Sequence, residues 1–370
     1  MTRVLAFGTY NTRKHPRVGI LIDGLRSNGC TVDEINAPLN LSTAGRVEIL
    51  KKPWKLFGFA RSLLTLWRQL AKDAKSWMRD NGRPDAVLVG YMGHFDVLLA
   101  HHIFQGIPIV LDHLIFAGDT AKDRGAQGMK VKLLNKLDRM AIDVATLVLV
   151  DTHEHQQMLH SDDASMVVPV GAPEDWFRAG RASIDQTADI VFYGLFTPLQ
   201  GTVVIADALT LLATEGIKPR TTMVGSGQDY QQVRSRLKAL PNVSFIEWVE
   251  PEELPTLVAS HAIALGIFST TPKGLRVVPN KVYQSMAAGC AVITSDTPPQ
   301  RRMLQNGALL TTPGDARSLA ETIKSLLSDA DELAAAKHAA ATVADKFTAK
   351  RVSSPLASWI NARATNCTEH

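Results

Sequence analysis

Residues 262–296, AIALGIFSTTPKGLRVVPNKVYQSMAAGCAVITSD, restrict the fold more than any other stretch. The runs Ala262–Ile267 and Ala291–Ser295 lack polar alternation, so each reads as a strand buried on both faces, as in a parallel sheet. The helix predicted over Lys281–Ala288 supplies the crossover that parallel neighbours need. Asn280 suits its N-cap, Val282, Met286 and Ala287 fall on its inner face, and Gly289 suits the left-handed residue that ends it. The helix thus opens at the carboxyl end of a strand, where an open α/β sheet holds its ligands. Exposed N–H groups, the helix dipole and Lys281, placed to face the ligand, all favour an anion there.

The same alternation recurs along the chain. Strands are predicted at 3–8, 32–35, 85–90, 107–112, 146–150 and 167–170, then in a second series at 189–194, 221–225, 243–246, 262–267, 291–295 and 307–310, with helical segments between them. This is the pattern of α/β proteins with parallel sheets covered on both faces. A length of 370 residues suits two cores better than one. The domains expected are 1–172, a polar Gly- and Pro-bearing linker at 173–188, a second domain at 189–345, and a C-terminal helix with its tail at 346–370, bearing Leu356, Trp359 and Ile360 on one face.

Apolar content of 45% and charged content of 21% are those of a soluble globular protein. The three cysteines, Cys30, Cys290 and Cys367, are too few and too scattered for a disulfide framework or zinc cluster, which suits a reducing cytoplasm. No N-terminal signal and no membrane-spanning run are read. His153, Glu154 and His155 lack helical metal-ligand spacing and read as an exposed helix; Asp329 and Asp331 read as a solvated turn. No catalytic metal is expected. A nicotinamide-binding Rossmann enzyme is disfavoured, since no Gly-x-Gly-x-x-Gly follows the first strand, and nothing points to nucleic acid.

The ordered set Val191–Gly201, Gly225–Gly227 and Ile267–Asp296 resembles the retaining GT-B glycosyltransferases of family 4, in a bacterial branch with Pro-Asn-Lys before the helix. The resemblance implies two Rossmann-like domains facing across a cleft, with no cofactor beyond a nucleotide-diphosphate sugar as co-substrate. It implies donor contacts at Gly194, Gln200, Gly225, Gly227, Trp248, Val249, Asn280, Lys281, Val282 and Gln284. On the acceptor side it points to the first loop, with Tyr10, His15 and Arg17, and to Asp112, His113 and Asp119 after the fourth strand. Lys281, Arg276, His113 and Asp119 are the expected catalytic groups. Four positions depart from the family pattern. Leu195 and Gln200 stand where an Arg and a Lys usually meet the diphosphate, and Arg276 and Gln284 stand where two Glu are usual. Arg276 and Lys281 together read as a relocated phosphate clamp.

Residues 46–83 hold ten Lys and Arg against three Asp and Glu, a local charge of +7 in a chain of +4, leaving −3 elsewhere. Trp54, Phe57, Phe59, Leu63, Leu64, Trp67, Leu70 and Trp77 interleave with them at roughly helical spacing. That pattern fits a membrane-surface helix as well as an ordinary helix with one face on the core. The combined expectation is a cytoplasmic glycosyltransferase in glycan biosynthesis, peripheral at the inner membrane face and acting on an unknown acceptor, lipid-linked if the membrane contact holds. A catalytically silent nucleotide-sugar-binding scaffold or partner subunit is the alternative.

Overall fold

The computed structural model describes residues 2–12, 15–39, 55–90, 92–123, 125–182 and 186–368. The chain divides into two compact units: Met1–Val150 with Gln156–Val168 and Ser353–His370, and Asp151–His155 with Pro169–Val352.

The first unit is built on β1 (Arg3–Gly8), β2 (Thr31–Asn36), β3 (Ala86–Val89), β4 (Ile109–Asp112), β5 (Leu147–Val150) and β6 (Ser165–Val167), in the order β2-β1-β3-β4-β5-β6 with every pair parallel. Its central strands are apolar runs buried throughout, whereas β2, at the edge, alternates buried and open positions along Thr-Val-Asp-Glu-Ile-Asn. The helices are α1 (Pro16–Ser27), α2 (Lys55–Asn81), α3 (Asp96–Ile103), α4 (Ala117–Asp123) and α5 (Met129–Asp143). Leu70 and Ala74 of α2, Val97 and Ala100 of α3 and Ala141 of α5 close one core with Leu5, Phe7, Val87 and Leu111. The long basic helix therefore packs an ordinary apolar stripe on the sheet. Its opposite face leaves Phe57 79% exposed, with Arg61, Leu64, Arg68, Lys72 and Lys75 also open. Residues 46–54, the start of the basic segment, lie outside the described residues.

The second unit contains α6 (His153–Gln156) except its last residue, Gln156, then α7 (Glu174–Arg181), β7 (Ala188–Tyr193), α8 (Thr202–Thr214), β8 (Thr221–Val224), α9 (Tyr230–Arg236), β9 (Val243–Ile246), α10 (Leu254–Ala259), β10 (His261–Leu265), a 3-10 turn at Gly274–Arg276, α11 (Asn280–Ala287), β11 (Ala291–Ser295), α12 (Pro298–Leu304), β12 (Leu309–Thr311), α13 (Ala316–Ser328) and α14 (Ala330–Ala344). Its sheet runs β12-β11-β10-β7-β8-β9, again all parallel. Each unit is thus a six-stranded Rossmann-like sheet. The last helix, α15 (Ala349–Thr368), belongs to the first unit from Ser353 onward, with Leu356 and Ile360 buried and Asn361 Oδ1 4.0 Å from Cys30 Sγ.

Two local expectations differ from what forms, and a third gains a specific role. The polar stretch 173–188 holds a helix, α7, because Trp176 and Phe177 supply one buried face between charged neighbours; the Trp176 ring stacks on Tyr193 at 5.5 Å. His155 is buried, not exposed, since Asp151 one helical turn earlier binds its Nδ1 at 2.5 Å. Asp329, exposed between α13 and α14 as a solvated turn would be, is also the N-cap of α14, its Oδ1 accepting the N–H groups of Asp331 and Glu332 at 2.9 and 3.0 Å.

Candidate functional site

The strands of the second unit deliver their carboxyl ends to one edge, and glycines set how closely the loops there approach. Gly194 follows β7 with φ +136°, and its N–H donates to Val224 O at 3.0 Å. Gly225 follows β8 with φ +121°; a Cβ on it would lie 2.0 Å from Gly194 O, and one on Gly227 would lie 2.5 Å from Phe196 O. Gly225 and Gly227 are therefore required for backbone contact between neighbouring loops, whatever binds above them. Trp248, after β9, is 70% exposed with Nε1 donating to Glu250 at 3.0 Å, and Val249 beside it is half-buried.

Helix α11 meets this edge from the other side. Pro279, in extended conformation, is its N-cap and makes no side-chain cap; Asn280 is its first residue instead of the expected cap. The Val282 N–H donates to Pro279 O at 3.0 Å, so that donor is already engaged by the first turn. Gly289 ends the helix as expected, at φ +80°, with Cys290 N donating back to Ser285 O. The Tyr193 hydroxyl ties helix to strand, donating to Lys281 O at 3.0 Å and lying 3.1 Å from Ser285 Oγ. Gln284 is buried on the same helix.

Lys281 departs most from expectation. It is only 6% exposed, because its side chain turns in toward β7 and its Nζ sits 3.8 Å from the centre of the Phe192 ring. A Cβ on Gly194 would be 3.0 Å from that Nζ and 4.0 Å from Gln200 Oε1. Glycine at 194 thus leaves room for a buried amine and a buried amide oxygen, neither of which has a hydrogen-bond partner among the described residues. Burial pulls the Lys281 amine well below its ordinary pKa of 10.5 and pushes the neighbouring Tyr193 phenol well above its own. The amine sits between two aromatic rings, 3.8 Å from the centre of Phe192 and 5.9 Å from that of Tyr193, where a nearby negative group would favour its charged form. Leu195 is 50% exposed beside it. Arg276 closes the 3-10 turn four residues before α11, half-buried, its carbonyl accepting Thr152 Oγ1 at 3.0 Å.

The first unit gathers its candidates at the carboxyl edge too. Arg17, in the first turn of α1, binds Asp112, the last residue of β4, through Nε at 2.7 Å, with both side chains buried. His15 precedes that helix, half-buried, its N–H donating to Asn11 O. Tyr10 turns away, buried, with its hydroxyl on Glu34 at 3.0 Å. Asp119 is half-buried in the first turn of α4. His113 is buried with its ring edge-on to Phe116 at 4.6 Å and to His94 at 4.9 Å.

Comparison with known proteins places this geometry in a wider frame. Residues 187–329 match a family model described as glycosyl transferases group 1. No curated protein matches the chain. Among solved structures, sucrose-phosphate synthase from Thermosynechococcus elongatus superposes with a TM-score of 0.70 at 13% identity, covering 99% of this chain and 100% of that one. The N-terminal domain of Candida albicans trehalose-6-phosphate phosphatase gives 0.67 at 12% identity, covering 98% and 97%. Anabaena HepE in complex with UDP-glucose gives 0.65 at 16% identity, covering 98% and 100%. The fold is GT-B.

Three polar residues at the carboxyl edge of the first GT-B sheet escaped the sequence reading. Asp96, the first residue of α3, accepts Thr9 N and Thr9 Oγ1, each at 2.7 Å, and Trp67 Nε1 at 3.1 Å, fastening the first loop and α2 to one carboxylate. Burial raises its pKa despite those bonds. Asp138, on α5, takes His94 Nε2 at 2.8 Å, Ala117 N at 2.8 Å and Gly118 N at 3.0 Å. Burial alone would raise the Asp138 carboxyl, but the His94, Gly118 and Ala117 hydrogen bonds together outweigh it and hold the pKa below the usual carboxylate value. The nearest signal in the sequence was the pair of polar residues in GHFD, His94 and Asp96, directly after an apolar strand.

Proposed function

We propose that this chain is a glycosyltransferase that takes a sugar from a nucleotide-diphosphate sugar and passes it to an acceptor with retention at the anomeric carbon. The second unit binds the donor, as the family match within 187–329 suggests, and the first unit carries the acceptor. The observation that carries this reading is the Lys281 amine, buried, seated on Phe192 and without a hydrogen-bond partner among the described residues, at the carboxyl edge of the second sheet. As the glycosidic C–O bond breaks, negative charge grows on the departing diphosphate, and a preorganised cation in a water-poor site stabilises that charge more than it stabilises the bound donor. Arg276 is the second cation. The acceptor oxygen bonds to the anomeric carbon on the face the diphosphate leaves, and its proton passes to the leaving phosphate oxygen. Trp248 offers an exposed aromatic face for the nucleoside base, and Gln284 a neutral hydrogen-bonding group for the ribose. Asp119, half-buried in the first turn of α4, faces the transferred sugar or the acceptor, while His113 is buried against His94 and Phe116.

The solvent face of α2 supports a lipid-linked acceptor and peripheral attachment to the cytoplasmic side of a membrane, for use in glycan biosynthesis. No helix among the described residues is long and apolar enough to cross one. A catalytically silent nucleotide-sugar-binding scaffold is favoured by one observation, the exposed Leu195 and neutral Gln200 where related enzymes place two cations. Two assays separate the readings. Thermal shift with a panel of nucleoside diphosphates should raise the unfolding temperature for at least one. Release of that diphosphate from its nucleotide sugars without acceptor should then be measurable. Binding without any release, with or without candidate acceptors, identifies the scaffold; no binding across the panel removes both readings.

A further inference from the structure

His94, His113 and Asp138 come from three separate elements: the loop after β3, the residue after β4, and the third turn of α5. Their side chains are all more than nine-tenths buried, and one donor atom from each lies within 4.8 Å of the other two. His94 Nε2 and His113 Nε2 stand 2.8 and 3.7 Å from the same oxygen, Asp138 Oδ1. Ligand atoms at the usual zinc distances in a tetrahedral shell are about 3.3 Å apart, so the observed separations bracket that value. The carboxylate is also braced as metal-binding carboxylates commonly are: Ala117 N–H and Gly118 N–H donate to its two oxygens and fix its plane. Phe116 walls the group on the His113 side.

We propose that His94, His113 and Asp138 form a binding site for one divalent transition-metal ion. Two imidazoles and one carboxylate suit zinc, cobalt or nickel better than magnesium or calcium, which prefer all-oxygen shells. The ion would replace the His94–Asp138 hydrogen bond, with His94 binding through an unprotonated Nε2 as its Nδ1–H tautomer and water completing the shell. Such an ion would pin the segment between β4 and α4, which carries His113, to α5. The proposal does not depend on the transferase reading, since it needs only the first unit's own residues.

The test uses the untagged full chain, stripped with a chelator and titrated with Co(II) and separately with Zn(II). One equivalent of Co(II) should bind with a visible d–d absorption, Zn(II) should displace it and raise the unfolding temperature, and millimolar Mg(II) should do neither. His94→Gln keeps a hydrogen-bond donor for Asp138 and should remain folded by circular dichroism while metal affinity falls at least roughly tenfold; His113→Ala should lose at least as much. A wild-type chain that takes up no Co(II), or a folded His94→Gln that keeps the wild-type spectrum and stoichiometry, overturns the proposal and leaves the trio as a hydrogen-bonded brace.

Discussion

Lys281 holds its ammonium nitrogen 3.8 Å from the Phe192 ring in a site that is 6% open, and both features have consequences for pH. Its folded-state pKa lies well below the unfolded value, so the unfolded chain carries the extra proton between the two. Stability therefore rises with pH through that window and is penalised as pH falls toward the folded pKa. Lys281→Met preserves the volume and removes the titration, so the variant should unfold at an equal or higher temperature and lose that pH slope; a lower unfolding temperature at neutral pH would contradict the buried, unpaired amine. An arriving diphosphate raises the same pKa. Between the free and bound values binding then takes up one proton, and affinity should weaken by about tenfold for each unit of rising pH. Calorimetry of nucleoside diphosphate binding in buffers of different ionisation enthalpy reads that proton directly, and the Lys281→Met variant should show none.

At the scale of elements, the two glycine-bearing turns after β7 and β8 behave as one packed unit. Gly225→Ala drives a methyl group to 2.0 Å from Gly194 O at a φ of +121°, and should cost about 2 kcal/mol or more in urea unfolding. Gly58→Ala in α2, which meets nothing within 4 Å, should be neutral or stabilising by about 1 kcal/mol and serves as its control. Helix α2 makes a second test. With Phe57 and Leu64 exposed among Arg61, Arg68, Lys72 and Lys75, the chain should bind vesicles containing anionic lipid and release as salt rises, and the triple change of Arg61, Arg68 and Lys72 to Gln should abolish this without moving the unfolding temperature. Equal recovery on neutral and anionic vesicles would leave α2 as a core-packing helix only.

For the whole molecule, the alternation of unpatterned β-branched runs with helices made both parallel sheets legible, because doubly covered strands such as Ile109–Asp112 and Ala291–Ser295 have no polar face to disguise them. The carboxyl edge of the second sheet as the candidate site followed from the topology, with Lys281 in the first turn of α11. What stayed hidden depends on partners distant in sequence. Whether a first-turn lysine reaches solvent or folds back is decided by Phe192 and Gly194, almost ninety residues away. Asp138 and His94 are 44 residues apart, and no periodicity pairs them. Helix α7 was lost because Trp176 and Phe177 are diluted by four charged residues in eight. The linker reading followed mean polarity, whereas two aromatic side chains suffice to seat a helix.

The measurement that bears most directly on the transferase reading is single-enzyme turnover of the nucleotide sugar whose diphosphate binds, at saturating donor, comparing wild type with folded Lys281→Met. If Lys281 stabilises the departing diphosphate, kcat should fall by about 10²-fold or more while the fold stays intact. Turnover within about twofold of wild type, on a variant shown to be folded and saturated, would contradict Lys281 as the group that carries the developing charge.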